Sequence, residues 1–399
     1  MLPSRRNYSY NQLQMTHELN DAQHGAVWNY WKKLDKSLLF SVIACSVISV
    51  LLLISIWQND LLSSVDDSQF TTQIFASLIG IVCVIILLVV DYHKIVKLWY
   101  IYAPIALLFT LLCFTSLGVQ RDGADDQAWL DLGFITFQPS ELLKLAFILT
   151  FSLHLEKDEE NMNKPLHMLL LCIHGAIPVL LIALQGDYGT AIIFACIFLG
   201  MLLSAKISWK YVLALAVAIP VVLVLAWNFV LSDSHKERIL VLLNPGSDPE
   251  GVEYQQNLGL SALANGEMFG QGLFAGEDAY VSVPEMHNDF IFAHVGQCFG
   301  FVGAMIVVLL LAFICLKCLY NGLRSTDRLG TFICIGVFSM FLSHCILNIG
   351  MVLKVAPVIG VPLPFFSAGG TATVCMYIAI GFVISIYSHN QKPYSAFDT

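Results

Sequence analysis

The 399-residue sequence is short of charge: only 12% of its residues are Asp, Glu, Lys or Arg, against 57% hydrophobic. A soluble domain carries about 25% charged residues, so this scarcity points to a chain that crosses a membrane several times. Positive charge is scarcer still, with 20 Lys and Arg against 29 Asp and Glu and a formal net charge of -9. The basic footprint of a nucleic-acid binder is therefore missing. Cysteine is missing from the one long polar stretch, residues 232–284; all 11 Cys, from Cys45 to Cys375, lie in apolar runs or at their edges. That argues against a disulfide framework and leaves packing thiols. No cleavable secretion signal is visible either. The first 36 residues are polar and include Arg5, Arg6, Lys32, Lys33 and Lys36, so the first apolar run is expected to stay as an anchor.

What is present is a series of ten apolar runs: Ser37–Trp57, Phe70–Val90, Leu98–Gly118, Leu142–Leu155, Met168–Leu184, Gly189–Ala205, Tyr211–Leu231, Phe290–Tyr320, Thr331–Leu353 and Phe365–Tyr387. They predict an all-α polytopic membrane protein of about ten transmembrane helices. The fourth run is short and is expected to begin in the loop before it; the eighth is long and should tilt or project. Charge predicts the orientation. With the N-terminus inside, Arg121, Lys236, Arg238 and Lys354 fall outside, Lys144 falls within a span, and the rest of the 20 Lys and Arg lie inside. This bias places both termini in the cytoplasm. The expected organisation is a cytoplasmic tail over 1–36, one membrane domain over 37–388 with an extracytoplasmic loop 232–284, and a cytoplasmic tail over 389–399. Cytosolic energy donors such as ATP are then out of reach of that loop.

Several polar residues interrupt this pattern. His287, Asn288 and Asp289 stand at the start of the eighth run. A carboxylate there is costly and is normally kept for function, although Asn288 or Asp289 could also simply cap the helix. In FQPSELLKL, Pro139 suits a first helical turn, with Ser140 and Glu141 near its positive end. Glu141 and Lys144 are three apart and can pair, which is as good an account of them as a substrate-facing role. Trp129 alone reads equally well as an interfacial belt residue. LQGDYGTAI, residues 184–192, reads as a tight reversal around Asp187 in preference to a ligand contact. In the long loop, Ile239–Leu243 and Gln256–Ala264 look amphipathic enough to lie on the membrane surface. Gly266, Gly270, Gly272 and Gly276 suit turns, or amide nests for anions. Arg238 is one of few outward cations and serves either a phosphate or the interface. Pro357, Pro362 and Pro364 forbid regular helix in the stretch 355–364. Irregular backbone at membrane depth requires a covered cavity, here beside the Asp289 helix.

Five of these segments together resemble one family. PEMHNDFIFAHVGQCFGFVGA is similar to the PExHTDFIFAxxGEELGFxGA signature of the SEDS proteins (shape, elongation, division and sporulation), the RodA- and FtsW-like family. Asn288 replaces its Thr, and Gln297 and Cys298 replace its Glu-Glu pair. Trp129 with FQPSE and Lys144 resembles the family's GakrWi…fQPSElaK. LQGDYGTA resembles LxQPDLGTA, with Gly186 for Pro and Tyr188 for Leu. The loop matches R…LxPxxDPxGxGYQ…GxxxGxG through Arg238, Asn244, Pro245, Asp248, Pro249, Gly251, Tyr254, Gln255, Gly266, Gly270 and Gly272. NIGMVLKVAPVIGVPLPFFSAGGTATV resembles NxGMVxGxLPVxGxPLPFxSYGGSS, departing at Lys354, at Ala368 for Tyr, and at Thr371 and Ala372 for Ser-Ser.

The resemblance implies a peptidoglycan glycosyltransferase that polymerises lipid II at the outer face of the bacterial cytoplasmic membrane, beside a class B penicillin-binding protein. It makes Asp289 the catalytic carboxylate. Substrate-binding candidates are Trp129, Glu141, Lys144, Arg238, Glu285, His287, Lys354 and Ser367, the cations Lys144, Arg238 and Lys354 being those able to hold diphosphate. The chemistry is attack of a sugar 4-hydroxyl on the anomeric carbon of a lipid-linked MurNAc, with a base for the proton and positive charge for the leaving group. A divalent cation such as Mg2+ or Mn2+ at the diphosphate is the one cofactor it admits. His287 and His294, seven apart, are too distant to chelate with Asp289 if all three ride one helix. Two other readings stand. One is a transporter or lipid flippase, which broken helices would suit but which the missing inverted repeat weakens. The other is a catalytically silent scaffold for the transpeptidase, suggested by the altered positions.

Overall fold

The computed structural model describes residues 34–390 except 64, 121–125, 132, 134, 135 and 252. Nearly all of both expected tails, together with Arg121 and Lys392, lies outside the described residues. Each of the ten apolar runs contains a helix. In chain order the helices are α1 (Lys36–Gln58), α2 (Asp67–Val89), the short α3 (Tyr92–Lys97), α4 (Trp99–Leu112), α5 (Pro139–Lys157), α6 (Pro165–Leu184), α7 (Tyr188–Ser204) and α8 (Trp209–Phe229). Then come two loop helices, α9 (Asp233–Leu243) and α10 (Tyr254–Asn265), and finally α11 (Ile291–Leu323), α12 (Arg328–Val352) and α13 (Gly370–Asn390). Seven of them (α1, α2, α6, α8, α11, α12, α13) are long and apolar enough to cross a membrane. Helices α4 and α7 are apolar but shorter, and α5 carries the buried charges Glu141 and Lys144. The chain is a multi-pass membrane protein.

The departures from the sequence reading have local causes. The third run ends as helix at Leu112, not Gly118. Past it the chain turns into three short antiparallel strands, β1 (Gly118–Val119), β2 (Trp129–Asp131) and β3 (Thr136–Phe137), in order β1-β2-β3. This small sheet delivers Pro139 to the first position of α5. The tenth run loses its first residues because Phe365 has φ +65 and the chain turns there, so α13 starts at Gly370.

The long eighth run is not one straight rod. Helix α11 is broken at Gly300, whose φ of 65° and ψ of -167° fall in a region that only glycine enters readily. The break frees backbone groups at membrane depth, where each must find a partner. The Gly-rich loop supplies them. Gln271 N–H donates to Gln297 O at 2.8 Å and Gly272 N–H to Cys298 O at 3.0 Å, while Phe301 N–H donates to Glu267 O at 2.8 Å and Val302 N–H to Met268 O at 3.1 Å. This loop thus forms a backbone splint. The splint also answers for the altered motif pair. Gln297 accepts from Val281 N–H at 2.6 Å and donates to Val281 O at 3.1 Å; a carboxylate could do only the first. Cys298 is buried, its Sγ 3.3 Å from His294 Nε2.

At the centre, α12 packs against α11, α7 and α5, and α13 lies along α2. Helix α8 has no buried residue. Its apolar surface faces outward on every side, as a helix solvated by lipid does.

Candidate active site

Between α12 and α13 the chain runs irregularly from Val355 to Gly369. This stretch forms one wall of a cavity of about 300 Å³. Lining it are Asp126 and Trp129 from the small sheet, Gln138 at the head of α5, Gly186–Gly189, His235 and Arg238 on α9, Glu285, Asn288 and Asp289, and residues of the wall itself. Of the predicted site residues, Asp289, Trp129, Arg238, Glu285 and Ser367 are brought together in this way.

The N-cap position of α11 is Phe290, one residue past Asp289, and it has no side-chain cap bond. The Asp289 turn is held from outside. Asn348 Nδ2, on α12, donates to Asp289 O and to Val361 O, both at 2.8 Å. Ser367 Oγ donates to Asn288 O at 2.6 Å and accepts from Leu363 N–H at 2.7 Å, while Ala368 N–H donates to His287 O at 2.9 Å. Ser367 therefore fastens the wall to the turn. Asn288 Nδ2 donates to Glu285 Oε2 at 2.8 Å and fixes that exposed carboxylate at the rim. His287 is buried behind the turn, beside Asn288. It precedes the α11 helix, so the seven-residue spacing to His294 is not a helical one. Asp289 itself is half-buried, and a Cβ added to Gly360 would lie 3.5 Å from its Oδ2. A side chain there would narrow the space in front of the carboxylate.

The predicted cations divide three ways. Arg238 lines the cavity and donates to Val358 O at 3.1 Å; it is the sole Lys or Arg among the described lining residues. Lys144 lies fully buried behind the wall, 2.8 Å from Glu141 Oε1, so this pair forms as the spacing predicts but does not line the cavity. Lys354 is elsewhere. It bonds Glu253 at 3.1 Å and Asn257 at 2.7 Å, because a left-handed φ of 58° turns it toward α10.

The site also holds residues beyond the predicted candidates, among them Asp187, whose turn the sequence favours as a reversal over a ligand contact. Asp187 caps α7 by accepting from Thr190 N–H at 2.9 Å, and it also lines the cavity, taking a bond from Gln138 Nε2 at 3.1 Å. Burial pushes its carboxyl up to about 6, against the pull of the Thr190 N–H. His235 stands one helical turn before Arg238 on the same face of α9, its ring 4.5 Å from that of Tyr188. Gln138 was visible only as a motif letter, and Asn348 as one polar residue in an apolar run. Among the described residues, no three His, Cys, Asp or Glu side chains converge as a metal cage.

Residues 35–392 match the family model of the FtsW/RodA/SpoVE cell cycle proteins. The chain belongs to this family. It is 30% identical over 368 residues to the peptidoglycan glycosyltransferase MrdB of Escherichia coli K12, covering 91% of this chain and 96% of that one. It is 27% identical over 383 residues to the stage V sporulation protein E of Bacillus subtilis, covering 90% and 99%. Among solved structures, one chain of a peptidoglycan synthase complex superposes with a TM-score of 0.74 at 23% identity, covering 90% of this chain and 99% of that one. The rod shape determining protein RodA of Thermus thermophilus superposes with a TM-score of 0.66 at 21% identity, covering 90% and 98%.

Proposed function

We propose that this chain is a peptidoglycan glycosyltransferase that polymerises lipid II at the outer face of the bacterial cytoplasmic membrane. The observation that carries the reading is the pairing, in one cavity, of a half-buried carboxylate held by its backbone with a guanidinium. Asp289 takes the proton as an acceptor 4-hydroxyl attacks the anomeric carbon of the lipid-linked sugar. The new glycosidic C–O bond forms as the bond to the diphosphate oxygen breaks. Arg238 stabilises the charge that collects on the departing diphosphate. Trp129 and Glu285 border the space for the sugars. Ser367, His287, Glu141 and Lys144 act through the wall and the turn. Asp126, Asp187, Glu285 and Asp289 line the cavity, but no three such side chains converge among the described residues; a Mg2+ or Mn2+ would therefore be held chiefly by the diphosphate, where it would add positive charge to the leaving group.

The inside-out bias of Lys and Arg supports cytoplasmic termini and an outward cavity. The MrdB likeness and the synthase-complex fold support a class B penicillin-binding protein as partner. Of the altered positions behind the scaffold reading, Gln297 and Cys298 do not line the cavity, whereas Asn288 and Ala368 do, so that reading stays as the alternative. The test is polymerisation of fluorescent lipid II by the purified protein, with and without its transpeptidase. Glycan ladders are expected. Their absence from a reconstituted, partner-bound complex overturns the reading in favour of the scaffold.

A further inference from the structure

The irregular wall between α12 and α13 has no ladder of its own. Its carbonyls must be met by side chains. Arg238 meets Val358 O, and Gln256 Nε2 meets Ala356 O at 2.9 Å. Two residues one turn apart on α12 meet the next pair: Asn348 takes Val361 O, and His344 Nδ1 lies 3.0 Å from Pro362 O. His344 differs from the other three in what stands behind it. Its Nε2 is 3.0 Å from Lys144 Nζ, which is itself 2.8 Å from Glu141 Oε1. All three residues are buried, none more than 3% exposed.

The proton positions follow from the neighbours. An ammonium can only donate, so His344 Nε2 accepts; a carbonyl can only accept, so Nδ1 carries the hydrogen. The chain of bonds therefore runs in one direction, from the ammonium through a neutral imidazole to the Pro362 carbonyl. Glu141 holds the ammonium from its other side. Helix α5 is thereby connected through α12 to the cavity wall, two residues beyond the Gly360 that abuts Asp289.

We propose that His344 is a positioning residue of the active site. It relays the fixed place of the Glu141–Lys144 pair to Pro362 and so sets how far the wall stands from Asp289. The proposal rests on the cavity being the catalytic one. It also accounts for the buried ion pair, which anchors the wall and does not touch substrate.

His344→Gln and His344→Met separate this role from simple packing. Gln can accept from Lys144 through its oxygen and donate to Pro362 through its nitrogen. Met fills similar space and does neither. In lipid II polymerisation by the whole protein with its partner, the Met variant should lose on the order of 10²-fold in kcat, the cost of a small misplacement at the reacting atoms. KM should change little. The Gln variant should keep the rate to within about threefold. Equal rates for the Met variant and wild type, or equal loss in both variants at matched thermal stability, would overturn the proposal. If the Met variant does not accumulate, His344→Asn replaces it. That amide is one methylene too short to span both partners, and it must fall below Gln in kcat. Asp289→Asn in the same assay keeps the two failures apart. A normal rate there removes the catalytic cavity reading, while an inactive Asp289→Asn beside a normal His344→Met removes only the relay.

Discussion

The Asn348 side-chain amide donates to the backbone carbonyls of Asp289 and Val361 at the same 2.8 Å. One nitrogen thus ties the catalytic candidate to the wall opposite it. The Asn348 bond fixes Asp289 through its main chain, and the residue lines the cavity.

Asp289→Asn keeps that arrangement, because the Asn348 bond uses only the backbone. The variant should insert and bind its partner normally, yet lose about 10²–10⁴-fold in lipid II polymerisation, the usual worth of a general base. A well-folded variant working at the wild-type rate would make Asp289 a spectator.

Arg238 and Lys354 should behave oppositely. Arg238→Ala removes the guanidinium of the cavity and should cost roughly 10²-fold in turnover, as loss of a donor to developing negative charge does. Lys354→Ala takes the ion-pair partner from Glu253 at the head of α10 and leaves it the Gly246 N–H. It should lower thermal stability and leave the KM for lipid II unchanged. Kinetics and melting curves for both variants decide this, and a raised KM in Lys354→Ala would return that residue to the site.

Gly300→Ala tests the splint. A Cβ would meet the backbone nitrogens of Phe269 and Gly270, and the left-handed geometry alone costs about 1–3 kcal/mol for a non-glycine residue. The melting temperature should fall accordingly. An unchanged melt would mean that the break in α11 is not needed.

Asp187 gives a pH signature. Its folded carboxyl stands at about 6, above the ordinary 3.8. Between those values the folded state binds more protons than the unfolded one, so stability from this group is lost as pH rises from about 4 to about 6. Asp187→Asn removes the titration. The stability of wild type relative to that variant should therefore grow as pH is lowered from about 7 to about 4.5, measured by thermal unfolding. Parallel curves would refute the raised carboxyl.

Orientation is open to a direct check. In a background without native cysteines, Gly251→Cys should react with an impermeant thiol reagent on intact spheroplasts, and Asn161→Cys should not. The reverse pattern would turn the cavity inward.

Much of this was legible beforehand because membrane depth makes polarity conspicuous. The ten runs and the Glu141–Lys144 pair follow from where charge interrupts apolar sequence; the grouping of Asp289, Arg238, Trp129 and Ser367 is what the family resemblance implies. His344 and Asn348 carried a readable signal too, since two polar residues four apart share a helix face. The rest depended on backbone angles. Nothing in GQCFGFVG says which glycine breaks the helix; the choice of Gly300 is made by the loop that docks on it. The same holds for Lys354, whose left-handed φ sends it to α10, away from the diphosphate it was expected to hold.

The stapled wall also bears on how the protein assembles. The donors to its four carbonyls come from 13, 18, 100 and 120 positions away in the chain. Contacts across such separations are rewarded only after the intervening loops have closed. These four bonds can therefore form only once α9, α10 and α12 are in place. A newly inserted chain can hold all its helices in the bilayer and still be catalytically blank. Maturation of activity then lags behind insertion, and it depends on the outer loop as much as on the spans.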